Sequence, residues 1–214
     1  RQHNMQFSGA LQFSGNLVTS TFTSILDIAN QTSDFSSSPT PDGDGFFTLS
    51  GPDTTFLNDT NYHGVGLIGT SVMCRSKYTA YPFSSDGSTR WGIRGTNLFS
   101  SRNNFELYNM AGIYKHYAEI TNTRNDISGT GAPIPSLNTE FYYGLHFPDA
   151  NTLQLSFNGV VCHTETFLAG WLTANGDQRP YFRAYSGAGT QLVKWCATLN
   201  TPNVADAYAL AQAV

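Results

Sequence analysis

The chain predicts an all-β fold, an antiparallel β-sandwich of jelly-roll type with a short helix at its C-terminal end. Residues 141–166 carry strand periodicity broken by turn chemistry. Only 12% of the 214 residues are charged while 14% are aromatic, a balance suited to half-buried sheets rather than to disorder. Four Glu and three Lys in the whole chain are too few for the exposed faces of a mostly helical protein.

Taken in chain order, Gln6-Phe7-Ser8-Gly9 is repeated at Gln12-Phe13-Ser14-Gly15. Two copies at a six-residue period make no solenoid; the segment reads as two strands or one bent strand joined at Gly9. Residues 31–45 are Ser, Pro, Asp and Gly with almost no apolar content, which marks a loop. The thirty residues before it cannot bury a core alone, so the loop lies inside a single domain spanning 1–214. A chain this long buries roughly 70% of its unfolded surface and needs no metal or disulfide to fold.

Phe141, Tyr143, Leu145 and Phe147 alternate with Tyr142, Gly144 and His146, the period of a half-buried strand. Pro148–Asn151 reads as a turn, after which Leu153, Leu155 and Phe157 alternate with Gln154, Ser156 and Asn158. Asn158-Gly159 tolerates positive φ at both positions and favours a type I′ hairpin. The return strand then sets Val161, His163 and Glu165 opposite Val160 and Cys162, completing a meander. Further strands are expected at 181–186 and 190–197, separated by Gly187-Ala188-Gly189. Thr201-Pro202 reads as an N-cap with proline at the first helical position. Residues 203–213 continue as a short helix with Val204, Tyr208 and Ala211 on one face. So short a helix must be held by packing. The tail 201–214 therefore docks on its own sandwich or on a neighbouring chain, where those three residues would fix a homo-oligomer.

Net charge is −4, but residues 75–124 hold Arg75, Lys77, Arg90, Arg94, Arg102, Lys115 and Arg124 against Asp86, Glu106 and Glu119. These dispersed basic residues read as solvated strand and loop positions, and nucleic acid is not an expected partner. Cys74, Cys162 and Cys196 show no metal-ligand spacing; one disulfide with a free thiol and three buried, reduced cysteines both fit. Asn30 and Asn58 begin glycosylation sequons. No run of about 18 apolar residues occurs, so no membrane span is expected. Beginning at Arg1, the sequence reads as processed, trimmed or a piece.

Motifs for chemistry fail on inspection. Gly64-Val-Gly66-Leu-Ile-Gly69 fits GxGxxG, but a dinucleotide site needs a helix to follow, and Thr70–Arg75 reads as strand. Asp42-Gly-Asp44-Gly45 opens like a calcium loop but lacks the distal Glu, so a turn is expected. A glycosidase needs two carboxylates flanking the scissile bond, whereas Glu106, Glu119, Glu140 and Glu165 are isolated in sequence. Nucleophile elbows and phosphate loops are absent. His63, His146 and His163 read as outward-facing strand histidines. No catalytic residues, metal or cofactor are expected.

Asp42-Gly-Asp-Gly-Phe-Phe-Thr-Leu-Ser-Gly-Pro-Asp53, followed by Tyr62-His-Gly-Val-Gly-Leu-Ile68, resembles a stretch of legume-type lectins. Tyr181–Gly189 with Leu192-Val-Lys-Trp195 is similar to their late strand pair. Phe141–Cys162 resembles the strand-turn-strand of the wider concanavalin A-like class, including SPRY and laminin G-like domains. These stretches cover about half of the chain. The resemblance implies a concanavalin A-like sandwich in which Asp44 contacts sugar hydroxyls. The metal-binding strand of those lectins carries a Glu-x-Asp pair, and Val72–Ser76 has no carboxylate, so the metal-pinned sugar loop is not implied.

The function expected is a non-catalytic structural or attachment module on the exterior of a viral or phage particle, or of a similar extracellular assembly. It would act through protein or glycan contacts. A stand-alone carbohydrate-binding lectin is the alternative, with aromatic faces such as Trp91, Tyr81 or Trp171 stacking on sugar. A glycoside hydrolase is a more distant one. Asp44, Tyr81 and Trp91 are the candidate ligand residues.

Overall fold

The computed structural model describes residues 11–13, 16–18, 22–26, 42–50, 54–57, 68–83, 87–95, 102–121, 123–167, 178–185, 187 and 189–213. Strands β1 (Leu11–Phe13) and β2 (Asn16–Val18) pair with each other. There follow β3 (Phe22–Leu26), β4 (Phe47–Ser50), β5 (Thr54–Leu57), β6 (Thr70–Ala80), β7 (Ser88–Gly95), β8 (Arg102–Met110), β9 (Ile113–Ile120) and β10 (Thr123–Asp126). Then come β11 (Glu140–Asp149), β12 (Thr152–Phe157), β13 (Val160–Thr166), β14 (Gln178–Ala184), β15 (Thr190–Leu199) and helix α1 (Val204–Gln212). One sheet has six strands in the order β10-β9-β8-β7-β14-β5; the other has seven, β13-β12-β11-β6-β15-β3 with β4 also on β15. Neighbouring strands run antiparallel.

Period-two alternation builds the core, because successive side chains leave opposite faces of a strand. Phe141, Tyr143, Leu145 and Phe147 from β11 and Leu153, Leu155 and Phe157 from β12 meet Trp91, Phe105, Leu107 and Phe182 of the other sheet, all buried. Trp91 stacks on Tyr143 with centroids 5.8 Å apart, and Phe105 stacks on Tyr143 at 4.4 Å. The meander forms as the periodicity requires, and Asn158 and Gly159 take φ of 48° and 78°. In place of a nucleotide-type helix, Gly69 (φ 81°) leads into β6. Asp42 Oδ1 accepts hydrogen bonds from the amides of Asp44 (3.0 Å) and Phe46 (2.9 Å), closing the expected turn.

Several local expectations need correction. The helix N-cap is Asn203, whose side chain accepts from the Asp206 amide, not Thr201; Thr201 Oγ1 instead accepts from the Asn203 amide at 3.1 Å. The face that α1 buries is Ala207, Leu210 and Ala211, against Met73 and Leu199. Ala211 belongs to it and the half-buried Tyr208 packs against it, while Val204 is half-buried. His146 leaves the outer face of its sheet but is wholly buried there rather than solvated, because the C-terminal segment covers that side. Val160 and Val161 are both exposed, since the β12–β13 register shifts between Leu155 and Ser156. His63, both sequons and the repeat at 6–9 lie outside the described residues.

Candidate functional site

The outward face of the six-stranded sheet carries a dense polar cluster. In β7 the run Arg90-Trp91-Gly92-Ile93 sends Trp91 and Ile93 into the core, so Arg90 points away from it. The same alternation turns Glu106 and Tyr108 of β8 and Tyr117 and Glu119 of β9 outward. Register then aligns Arg90 with Glu106, Glu106 with Tyr117, and Asn104 with Glu119. Arg124 of β10 lies opposite Glu119, and Arg183 of β14 lies opposite Arg90.

Arg90 bridges two carboxylates, with Nη1 at 2.5 Å from Glu119 Oε2 and Nη2 at 3.0 Å from Glu106 Oε1. Arg124 Nη2 lies 3.0 Å from Glu106 Oε2. Glu106 has no exposed surface. Burial pushes its carboxyl above the usual range, and Arg90 and Arg124 pull it back. Directly opposed arginines repel. Here the Tyr185 ring takes both, Arg183 at 4.0 Å and Arg90 at 4.7 Å from its centroid, a cation–π arrangement. Arg124 in turn lies 5.0 and 5.3 Å from the Tyr108 and Tyr117 ring centroids. Its side chain remains 35% exposed beside the half-buried Tyr108, while Tyr117 beneath it is buried.

Glu106 and Glu119 are the only pair of the four glutamates that an arginine joins among the described residues. They share one face of the sheet with the Arg90 guanidinium between them. Both are consumed by guanidinium contacts, and a carboxyl with no exposed surface cannot pass a proton to a glycosidic oxygen. Among the described residues, no group of three or more His, Cys, Asp or Glu side chains can hold a metal ion.

The sequence-predicted site residues are not brought together. Asp44 is exposed in the turn before β4. Tyr81 is half-buried, its hydroxyl donating to Pro135 O at 2.7 Å and its ring 4.9 Å from that of Tyr114. Trp91 is 1% exposed, with Tyr143 and Phe105 stacked on it, so it offers no face to a sugar. Trp171 lies outside the described residues. The charged cluster was missed because its members are dispersed in sequence, but one signal was available: Arg-Trp-Gly-Ile in β7 alternates, which places Trp91 inside and Arg90 outside.

No protein-family model matches the chain, and no curated protein does. Solved structures do. The metal-free carbohydrate recognition domain of Emp46p aligns with TM-score 0.53 and 11% identity over 82% of this chain and 92% of that one. The carbohydrate recognition domain of Emp47p gives 0.53 and 8% over 73% and 83%. The binding domain of botulinum neurotoxin serotype D gives 0.52 and 10% over 95% of this chain and 51% of that one. Identities this low speak to fold alone. Two stacked antiparallel sheets, their shared aromatic core and these alignments together make the fold a concanavalin A-like sandwich.

Proposed function

We propose that the chain is a non-catalytic glycan-binding module, displayed on the exterior of a viral or phage particle or of a similar extracellular assembly. The observation that carries this reading is the outward face of the six-stranded sheet, where the half-buried Tyr108 sits beside the partly exposed Arg124, with the buried Tyr117 ring supporting the guanidinium. Aromatic rings stack on sugar faces while guanidinium groups donate to hydroxyls and carboxylates. The neighbours that are carbohydrate recognition domains lend support by analogy of fold. The carboxylates of the cluster are tied to arginine, which favours binding over hydrolysis. No helix among the described residues is long and apolar enough to cross a membrane.

A glycan array tests the reading directly. Wild-type protein is expected to retain specific glycans, and Tyr108→Ala and Arg124→Ala are expected to weaken that binding at least about tenfold, the loss of one good contact. Binding unchanged in both variants would move the site elsewhere. Release of new reducing ends from any bound polysaccharide would make the chain an enzyme and sink the proposal.

A further inference from the structure

We infer that the C-terminal tail is an acid-released latch: residues 200–213 are clipped to the outer face of the seven-stranded sheet through a buried His146–Ser71–Thr201 chain, and protonating His146 frees them while the sandwich stays folded.

The chain has a defined direction. Ser71 Oγ donates to Thr201 O at 2.6 Å. Its proton is therefore spent, and it accepts from His146 Nδ1, also at 2.6 Å. His146 Nε2 is left to accept from Ser156 Oγ at 2.7 Å. A neutral imidazole satisfies this arrangement completely. An imidazolium makes both ring nitrogens donors, so Ser156 must turn its hydroxyl to accept from Nε2 and loses the ring as the acceptor for its own proton. Ser71, His146 and Ser156 have no exposed surface, so the added charge finds no water.

Nothing around the ring would compensate that charge. On this face β6 carries Arg75 and Lys77, β11 itself Glu140 and Tyr142, β15 Lys194, and α1 Asp206 and Tyr208; β12 has no titratable side chain. Arg75 pairs with Glu140. None of these groups acts on His146, whose proton affinity is depressed by burial alone, to about 4. Gly144 leaves no room for rearrangement, since a Cβ there would sit 2.5 Å from His146 Nε2 and 2.7 Å from Met73 Sδ.

The tail is the element placed to yield. α1 has nine residues, too few to persist unpacked. Its apolar contacts form a cluster separate from the sandwich core. Once the tail lifts, His146 returns toward its ordinary value of 6.5. Linkage then favours the open form about 30-fold more at pH 5 than at about pH 7.5.

Hydrogen exchange on the full chain at pH 7.5 and pH 5 tests this, with intrinsic rates corrected. Protection of α1 amides is expected to fall about 30-fold, while core amides of β11 and β12 remain at least about tenfold better protected than α1 at pH 5. In His146→Asn, whose amide can still donate to Ser71, the α1 loss should shrink to less than about threefold. Unchanged α1 protection in wild type, an equal loss in the variant, or collapse of α1 and core to one level would each overturn the inference. Should His146→Asn not fold, Leu210→Ala decides. It loosens the helix without touching the histidine, and by reciprocity the His146 titration seen by NMR must move up toward 6.5; an unmoved titration overturns the latch.

Discussion

Glu106 shows how a single residue can be both costly and necessary. A carboxylate with no exposed surface is unfavourable unless charge and hydrogen bonds surround it, and here Arg90 and Arg124 do so. Truncating one partner strands the other. Glu106→Ala is therefore expected to lower the unfolding free energy by about 3 kcal/mol, measured by urea denaturation; a loss below about 1 kcal/mol would mean that solvent already screens the cluster. His116 makes a second case. Its Nδ1 lies 3.1 Å from Ala132 O and its Nε2 3.0 Å from the Tyr143 hydroxyl, so it is held neutral, and burial depresses its pKa to about 4. The unfolded chain, titrating near 6.5, binds more protons than the folded one between those values. Stability is thus full above about pH 6.5 and falls as the pH drops toward 4, by up to about 3 kcal/mol for this histidine. A flat urea midpoint between pH 7 and 4.5 would contradict the neutral assignment.

At the scale of elements, the β12–β13 hairpin and α1 depend on one another. Gly159 holds φ at 78°, and Tyr208 of the helix lies so close above it that an added Cβ would sit 2.5 Å from Tyr208 Cδ1. Tyr208 in turn meets Tyr142 edge to face at 5.5 Å. Gly159→Ala is expected to cost about 1–2 kcal/mol through backbone strain, and to loosen α1 besides by displacing Tyr208. Thermal denaturation reads the first effect and α1 amide protection the second. Loss of stability with α1 protection intact would show the turn and the helix to be independent.

On the whole-molecule scale, the tail lies on its own sheet, with Ala207, Leu210 and Ala211 already covered. Apolar residues that do remain exposed lie elsewhere, such as Phe83 at 77% and Ile113 at 61% exposure. Phe83 belongs to the β6–β7 connection and Ile113 to the β8–β9 hairpin. These are drawn together because Asn109 Nδ2 donates to Pro82 O at 2.7 Å. Deleting residues 201–214 is expected to lower the melting temperature while leaving the molar mass seen by light scattering unchanged. A change in molar mass would assign the tail a role between copies after all.

Alternation of apolar residues along 141–157 and the Asn-Gly turn were enough to specify the meander, because side-chain period and turn chemistry are local properties of the chain. The short C-terminal helix was legible for the same reason, to within two residues of its cap. The polar cluster was not. Arg90, Glu106, Glu119 and Arg124 come from four strands, and only strand order and register make them neighbours. Nor could the sequence say that His146 lies beneath a docked tail. Burial is decided by which sheet faces another layer, and that choice exists only once the sheets have stacked and the tail has settled.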